Sequence, residues 1–424
     1  MTAALDTLAG ALALRPGCAP PNIRSTRPLL APRLARGWPA DDLPDRLAGV
    51  YALCGGAHRI AAWLALAAAR GQPTPDAAAL ARALRADTLR EHLRRIVLDW
   101  PAALAGEAPS AGELRALRDG PAFAAEASAR KSAAAESEES SNEDALRARR
   151  WIERELLGDD AVGWLAAWEC DAGSALDAWA ARAPTPTARR LRACRDAARA
   201  IRQPVRRLAI AGDAGALAAV AAALRADPAF ALAPRAAGDA FESGCWARAA
   251  DPAPERHADA WLRLGARLAE AARLSLPEGD ADAPRALRFG ALALAADGRP
   301  AAPGHQVGQG AGCVRAATGA ARAEGSAGAT RGLGAAIGAC GEGLGWCEMA
   351  RGLLLHRIRL DRIGDGWRVA ECDVLAPTEW HFHPEGPVAQ ALARLPRDGG
   401  EAAARLLAAA FDPCVAIRVE AGDA

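Results

Sequence analysis

The chain has 424 residues, 24% of them charged, 51% hydrophobic, with a formal net charge of +1. That length can bury one large core or two ordinary ones, and so balanced a charge offers no single-sign field to attract nucleic acid or an anionic membrane surface. No stretch reaches the roughly 18 uninterrupted apolar residues of a membrane span, and the opening residues, Met1 to Leu14, hold Asp6 without a basic start or a cleavage signal, so a cytoplasmic protein is expected.

Taken in chain order, the first candidate element is a weak strand over Gly10 to Arg15, and an apolar helix follows over Ile60 to Ala69. Thr74-Pro75-Asp76 reads as a helix start, after which Leu80, Leu84, Leu89, Leu93, Ile96 and Val97 recur near helical spacing. Between Ala105 and Asp144 the pattern gives way to Ala, Ser, Glu and Gly, a composition unable to offset its ordering entropy, and residues 105–144 are expected to form a disordered insertion. Amphipathic helices are expected over Asp144 to Trp168, Asp213 to Arg225, Arg256 to Leu274 and Gly400 to Ala410. Leu353 to Leu360 and Trp367 to Leu375, joined through Ile363-Gly364-Asp365-Gly366, read as a hairpin. The glycine-rich stretch Gly304 to Gly345 lacks the strand-turn-helix context of a nucleotide loop, and no Walker, HExxH or GxSxG pattern occurs.

Ten cysteines in a chain this long are no dense disulfide framework. Cys18, Cys170, Cys194, Cys245, Cys313, Cys340 and Cys372 read as small buried hydrophobes. Two others have more informative surroundings. Cys54 opens Cys54-Gly55-Gly56-Ala57-His58 at a helix start, where a thiol pKa falls and a histidine one turn on can donate to the sulfur. Cys414 follows Asp412-Pro413 near the end, where a chain frays unless something ties it down. Each resembles half of a CxxC metal-binding pair, with Tyr51 and Ile417 where the other cysteines would stand.

Between these halves lie Glu348-Met349-Ala350-Arg351-Gly352 and Ala376-Pro377-Thr378-Glu379-Trp380. In this order and spacing the segments resemble the large subunit of nickel-iron hydrogenases, closely over residues 25–70 and 345–420 and loosely between. The resemblance implies a single, mainly α-helical α+β domain over residues 1–424, a helical bundle with small terminal sheets and both chain ends meeting at the core. Hydrogenase large subunits hold nickel and iron with four thiolates, and no CxxC survives in this chain. The loss resembles the HupK/HoxV hydrogenase-formation proteins, which look like inactive large subunits.

That second resemblance implies a non-catalytic maturation scaffold for iron carrying two cyanides and one carbonyl, Fe(CN)2CO, held by Cys54 and Cys414 without nickel. Arg351 and Thr378, beside Pro377, are then expected to donate hydrogen bonds to the cyanides, and His58 to the Cys54 sulfur. The implied partners are maturation factors that deliver the fragment and the hydrogenase large-subunit precursor that receives it, with no nucleic acid and no membrane. Two other readings stand beside it: a metal-free interaction protein or chaperone for the same partners, and a residual redox enzyme. For the single residues, Arg351 could instead pair with Glu348, Thr378 could cap a helix, Asp412 could cap a turn or contact Arg351, and Trp380 reads as core. A zinc site from Cys340, Cys347, His381 and His383 has no recognised spacing.

Overall fold

The computed structural model describes residues 9–74, 76–123, 138–204, 206–249, 257–277, 287–295 and 341–420. Among these residues helices dominate, and three small sheets accompany them. The chain begins with β1 (Ala11–Leu14) and β2 (Ile23–Ser25), then α1 (Leu43–Val50), α2 (Gly55–Ala69) and α3 (Ala77–Arg94). Further helices include α4 (Pro186–Ala200) and α5 (Ala260–Leu274), with the short strands β3 (Arg202–Pro204) and β4 (His257–Asp259) paired antiparallel. β5 (Phe289–Leu294), β6 (Glu342–Met349), β7 (Gly352–Ile363) and β8 (Gly366–Leu375) form an antiparallel sheet in chain order. A short helix Pro377–His381, α6 (Glu401–Phe411) and β9 (Ala416–Val419) complete it.

α2 is the centre of the molecule. It is apolar on nearly all sides because it is covered on nearly all sides, with Ala57, Ala61, Ala62, Leu64, Ala65 and Ala68 fully buried. Its window Ala52–Ala69 is long and apolar enough to cross a membrane by composition, and 67% of it is buried inside the fold, as for a core helix. The helix lies across the face of β6, and two glycines make that approach possible. A Cβ at Gly345 would fall within contact distance of the Ala61 carbonyl and 2.5 Å from the Ala65 nitrogen, and one at Gly343 would stand 2.5 Å from the Ala69 nitrogen. Each fully buried Leu or Ile on such an interface contributes about 1.5–3 kcal/mol.

α5 is the other core helix. Asp259 caps it by accepting from the Leu262 amide at 2.8 Å, and Trp261, Leu264 and Leu268 are fully buried. Its buried stripe also carries Arg263 and Arg267, each paired with a buried acid: Arg263 with Glu242 at 2.8 Å and Arg267 with Asp412 at 2.9 Å.

The two chain ends meet in the smallest possible way, as neighbouring strands. β1 pairs antiparallel with β2 and parallel with β9, in a register that sets Leu12 opposite Ile417. This pairing ties down the segment after Cys414. The expected hairpin is present as β7 and β8 and the strand near residue 10 as β1; helices occupy most of the four expected amphipathic stretches, but the one expected over Asp144 to Trp168 is broken at Gly158, which adopts φ +61°, and the one expected over Arg256 to Leu274 begins only at Ala260, after β4.

The structure corrects the reading of residues 105–144. Ala111–Arg118 is a helix whose Ser110 and Glu113 form a reciprocal capping box, and Glu113 also receives the buried Arg190 at 2.9 Å. Another helix runs from Glu138 to Ile152, and residues 124–137 lie outside the described residues. The helices Ala172–Arg182 and α4, and the strands β5 and β6, were not anticipated, although Asp171 and Thr185-Pro186 are helix starts. For β6 the reason is its glycines, which depress strand propensity but receive α2. Two cysteines also depart from expectation: Cys170 is exposed and Cys18 half-buried, while Cys194, Cys245 and Cys372 are buried as expected. Cys313, Cys340, Pro75 and the glycine-rich residues 304–340 lie outside the described residues.

Candidate thiol site at the meeting of the chain ends

Cys54 closes a single turn, Ala52–Cys54, between α1 and α2, and is the N-cap residue of α2. Gly55 and Gly56 bring this turn against its neighbours, since a Cβ on Gly55 would lie 2.7 Å from the Ala48 carbonyl and one on Gly56 2.5 Å from the Asp87 carboxyl carbon. Asp87, from α3, accepts the Ala57 amide at 3.2 Å and so satisfies an amide in the first turn of α2. One helical turn further along α3 comes Glu91, which is buried and paired with Arg351.

Arg351 occupies the tight turn between β6 and β7. The next residue, Gly352, has φ +143°, and a Cβ there would stand 2.8 Å from the Ser243 carbonyl, so only glycine lets the turn close. Arg351 is 3% exposed and meets two acids, Glu91 and, at 3.5 Å, Asp412. Asp412 is itself 1% exposed and is shared with Arg95 at 2.7 Å and Arg267 at 2.9 Å. It ends α6 with φ +53°, the conformation that turns the chain towards Pro413 and Cys414.

The hydroxyl of Thr378 donates to the Cys414 sulfur at 3.2 Å and accepts the Cys414 amide at 3.3 Å. Residues from both ends of the chain thereby surround one cavity of about 200 Å³, lined by Cys54, His58, Arg351, Pro377, Thr378 and Cys414. All six candidate residues face the same space. Tyr51 also lines it, stacked on the His58 ring at 4.1 Å and 9° between planes. Ile417 is not among the lining residues; it packs in β9 opposite Leu12, so the two positions occupied by non-cysteine residues have separate fates.

Charge in the cavity is set by burial. Burial first, then the nearby Glu91, pushes the Cys54 thiol well above its ordinary value, against the pull of Arg351. The helix-start expectation of a lowered pKa is therefore overturned, because desolvation outweighs a terminal dipole. Burial likewise pushes the Glu91 carboxyl up to about 8, with Arg351 opposing. For Asp412 the balance reverses: against burial, Arg267, Arg351 and Arg95 hold it below the usual carboxylate range.

His58 does not bond the Cys54 sulfur. Its Nδ1 lies 2.9 Å from Nε2 of His356, a fully buried histidine on β7, and burial holds both rings neutral by lowering their pKa values, His356 to about 3. Arg351 does not pair with Glu348, which binds Arg288 at 2.7 Å. Thr378 bonds Cys414 and makes no helix cap. Trp380 is fully buried, as core. His381 bonds the Ser243 amide and the Phe411 carbonyl, His383 bonds the Glu385 amide, and Cys347 donates to the Ala57 carbonyl, so these three have partners of their own. Among the described residues a group of possible ligands does occur elsewhere, His92, Cys245 and Glu270, but Arg248 and Arg267 already bond its acid and its histidine.

Sequence reasoning missed Asp87, Glu91, His356 and Arg27, which lines the cavity beside Glu379. A signal existed for two of them. Leu80, Leu84, Asp87 and Glu91 continue one stripe of α3, and an acid on an apolar stripe needs a buried partner.

These features define a class: a helix-dominated α+β protein whose two ends deliver one cysteine each to an arginine-bearing cavity. The chain is 35% identical over 426 aligned residues to the hydrogenase expression/formation protein HoxV of Cupriavidus necator, covering 97% of this chain and 96% of that one. It is 30% identical to the hydrogenase expression/formation protein HupK of Rhizobium leguminosarum bv. viciae, covering 95% and 93%. The chain belongs to this family of hydrogenase expression/formation proteins. Among solved structures it is similar to the nickel-iron-selenium hydrogenase of D. vulgaris Hildenborough in its as-isolated oxidized state, with 14% identity, 94% and 93% coverage and a TM-score of 0.49. No family model matches the chain.

Proposed function

We propose that the chain is a hydrogenase-maturation scaffold that holds an Fe(CN)2CO fragment through Cys54 and Cys414 and passes it to the hydrogenase large-subunit precursor. The observation that carries this reading is the convergence of both thiols, Arg351 and Thr378 on one cavity. Four diatomic- or ion-sized groups, each roughly the 30 Å³ of a water molecule, fit within about 200 Å³.

In this reading each thiol gives up its proton to water as its sulfur bonds iron. Cyanide is an anionic acceptor, so Arg351 supplies charge and directional donors on the Cys54 side, and the Thr378 hydroxyl turns from the Cys414 sulfur to a cyanide nitrogen. Burial favours the neutral Cys54 thiol, so binding of the fragment there must displace a proton that burial holds. His58 serves the cavity by fixing Tyr51, and Tyr51 and Pro377 supply walls without a charge. Two sulfurs leave nickel without its four-thiolate site. Maturation factors deliver the fragment, in the cytoplasm where the precursor is made.

The test is infrared spectroscopy with iron and nickel analysis on the full chain co-produced with hydrogenase-maturation factors. Cyanide and carbonyl bands with iron but no nickel, abolished by Cys54→Ala, are expected. A folded chain that co-purifies with its partners and carries no such bands refutes the holding function.

A further inference from the structure

Arg27 lines the cavity, and the reading above makes no use of its chemistry. It enters from the segment after β2, its side chain 13% exposed, and its Nη1 lies 2.6 Å from Glu379 Oε1. Proximity there is not alignment: Nη1 is buried without a hydrogen-bond partner, and so is the other Glu379 oxygen. The guanidinium thus keeps donors unspent at the wall of a cavity that also holds Cys54 and Cys414. Its partner Glu379 follows Thr378, whose hydroxyl bonds the Cys414 sulfur, so Arg27 stands on the Cys414 side of the cavity. The two arginines line one cavity from different segments, Arg27 after β2 and Arg351 in the turn between β6 and β7.

We infer that Arg27 is a second anion-binding residue of this cavity, donating from the Cys414 side to a linear anionic ligand such as a metal-bound cyanide. The inference rests on the holding function for the identity of that ligand, but not for the presence of an anion site. Its chemical logic is charge. Ferrous iron with two cyanides, one carbonyl and two thiolates is a dianion, and a buried dianion is costly unless matched. Arg351 supplies one positive charge already divided between Glu91 and Asp412. Arg27 supplies the second, and its planar fork can meet Glu379 and a ligand at once. Ferrous iron bound by the two thiolates alone is neutral and would gain little from two guanidiniums, so the pair also selects against bare iron.

Two measurements on the full chain test this. In protein co-produced with maturation factors, Arg27→Gln is expected to lower cyanide-band intensity per chain at least fivefold, and Arg27→Lys to keep it within twofold while moving a cyanide band. In protein made without those factors, thiocyanate is titrated and its binding read from protection of Cys414 against iodoacetamide; Arg27→Gln is expected to weaken protection at least fivefold. The double variant Arg27→Gln/Glu379→Gln removes the pair together, so that an unfolding effect from stranding the carboxylate is separated from loss of the donor, with circular dichroism as the check on fold. Unchanged bands and unchanged thiocyanate protection in Arg27→Gln overturn the inference and leave the holding function intact. Absence of bands in the natural chain, with thiocyanate protection still dependent on Arg27, refutes the holding function and supports the anion site.

Discussion

Replacing Asp412 by Asn isolates the charge on which the site is built. The side chains are nearly the same size, and Asn tolerates the φ of +53° that the position demands, so neither packing nor backbone is disturbed. What changes is that Arg95, Arg267 and Arg351, at 2.7, 2.9 and 3.5 Å, lose the carboxylate they share in a place 1% exposed. Breaking a buried pair by removing one partner costs about 3–5 kcal/mol, a large part of the roughly 5–15 kcal/mol that holds a domain folded. The comparison variant is Asp42→Asn, whose pair with Arg46 is about half exposed; there the expected cost is under about 1 kcal/mol. Urea unfolding followed by tryptophan fluorescence and circular dichroism measures both. A loss below about 1 kcal/mol for Asp412→Asn, at an unchanged denaturant slope, would refute the view that Asp412 is the hub of a buried ionic network.

Gly345→Ala is expected to destabilise by about 3 kcal/mol or more, because its methyl would collide with the backbone of α2 at Ala61 and Ala65; an unchanged urea midpoint would show that α2 can move off the sheet. Stability should also fall with acid below neutrality. Burial lowers the pKa of His92 to about 4, of His356 to about 3 and of His381 to about 4. An unfolded histidine takes up a proton near pH 6.5, so the neutral folded form loses ground as pH drops below that value and the loss is complete only at pH 3–4. Each contributes a loss on the order of 2 kcal/mol by pH 5. A urea midpoint equal at pH 7 and pH 5 would contradict this, and replacing one of these histidines by Gln should flatten the slope.

The helices and the hairpin were legible because their periodicity is local: a stripe of leucines on α3 or the turn Ile363-Gly364-Asp365-Gly366 specifies its own conformation. The candidate residues Cys54, Arg351, Thr378 and Cys414 stand in motifs whose order and spacing resemble those of hydrogenase large subunits, and the fold brings them to one cavity. The capped helix Ala111–Arg118 was hidden by composition, although its Ser110-x-x-Glu113 box is a local signal. β6 was hidden for the opposite reason. Its glycines make sense only once α2 lies on them, and nothing near them in sequence says so.

By itself, then, the sequence determined which side chains are candidates for the chemistry and where most of the strongly periodic helices lie, since both depend on residue type and short spacings. Only the tertiary structure decided how that chemistry is set. Pairing of β9 with β1 brings Cys414 to the cavity of Cys54. Burial, not the helix start, governs the Cys54 thiol, and His58 answers to His356 instead of that sulfur. Arg351 meets acids from α3 and α6 in place of its neighbour Glu348. Desolvation and ion pairing depend on what surrounds a group in space, and those surroundings come from segments hundreds of residues apart.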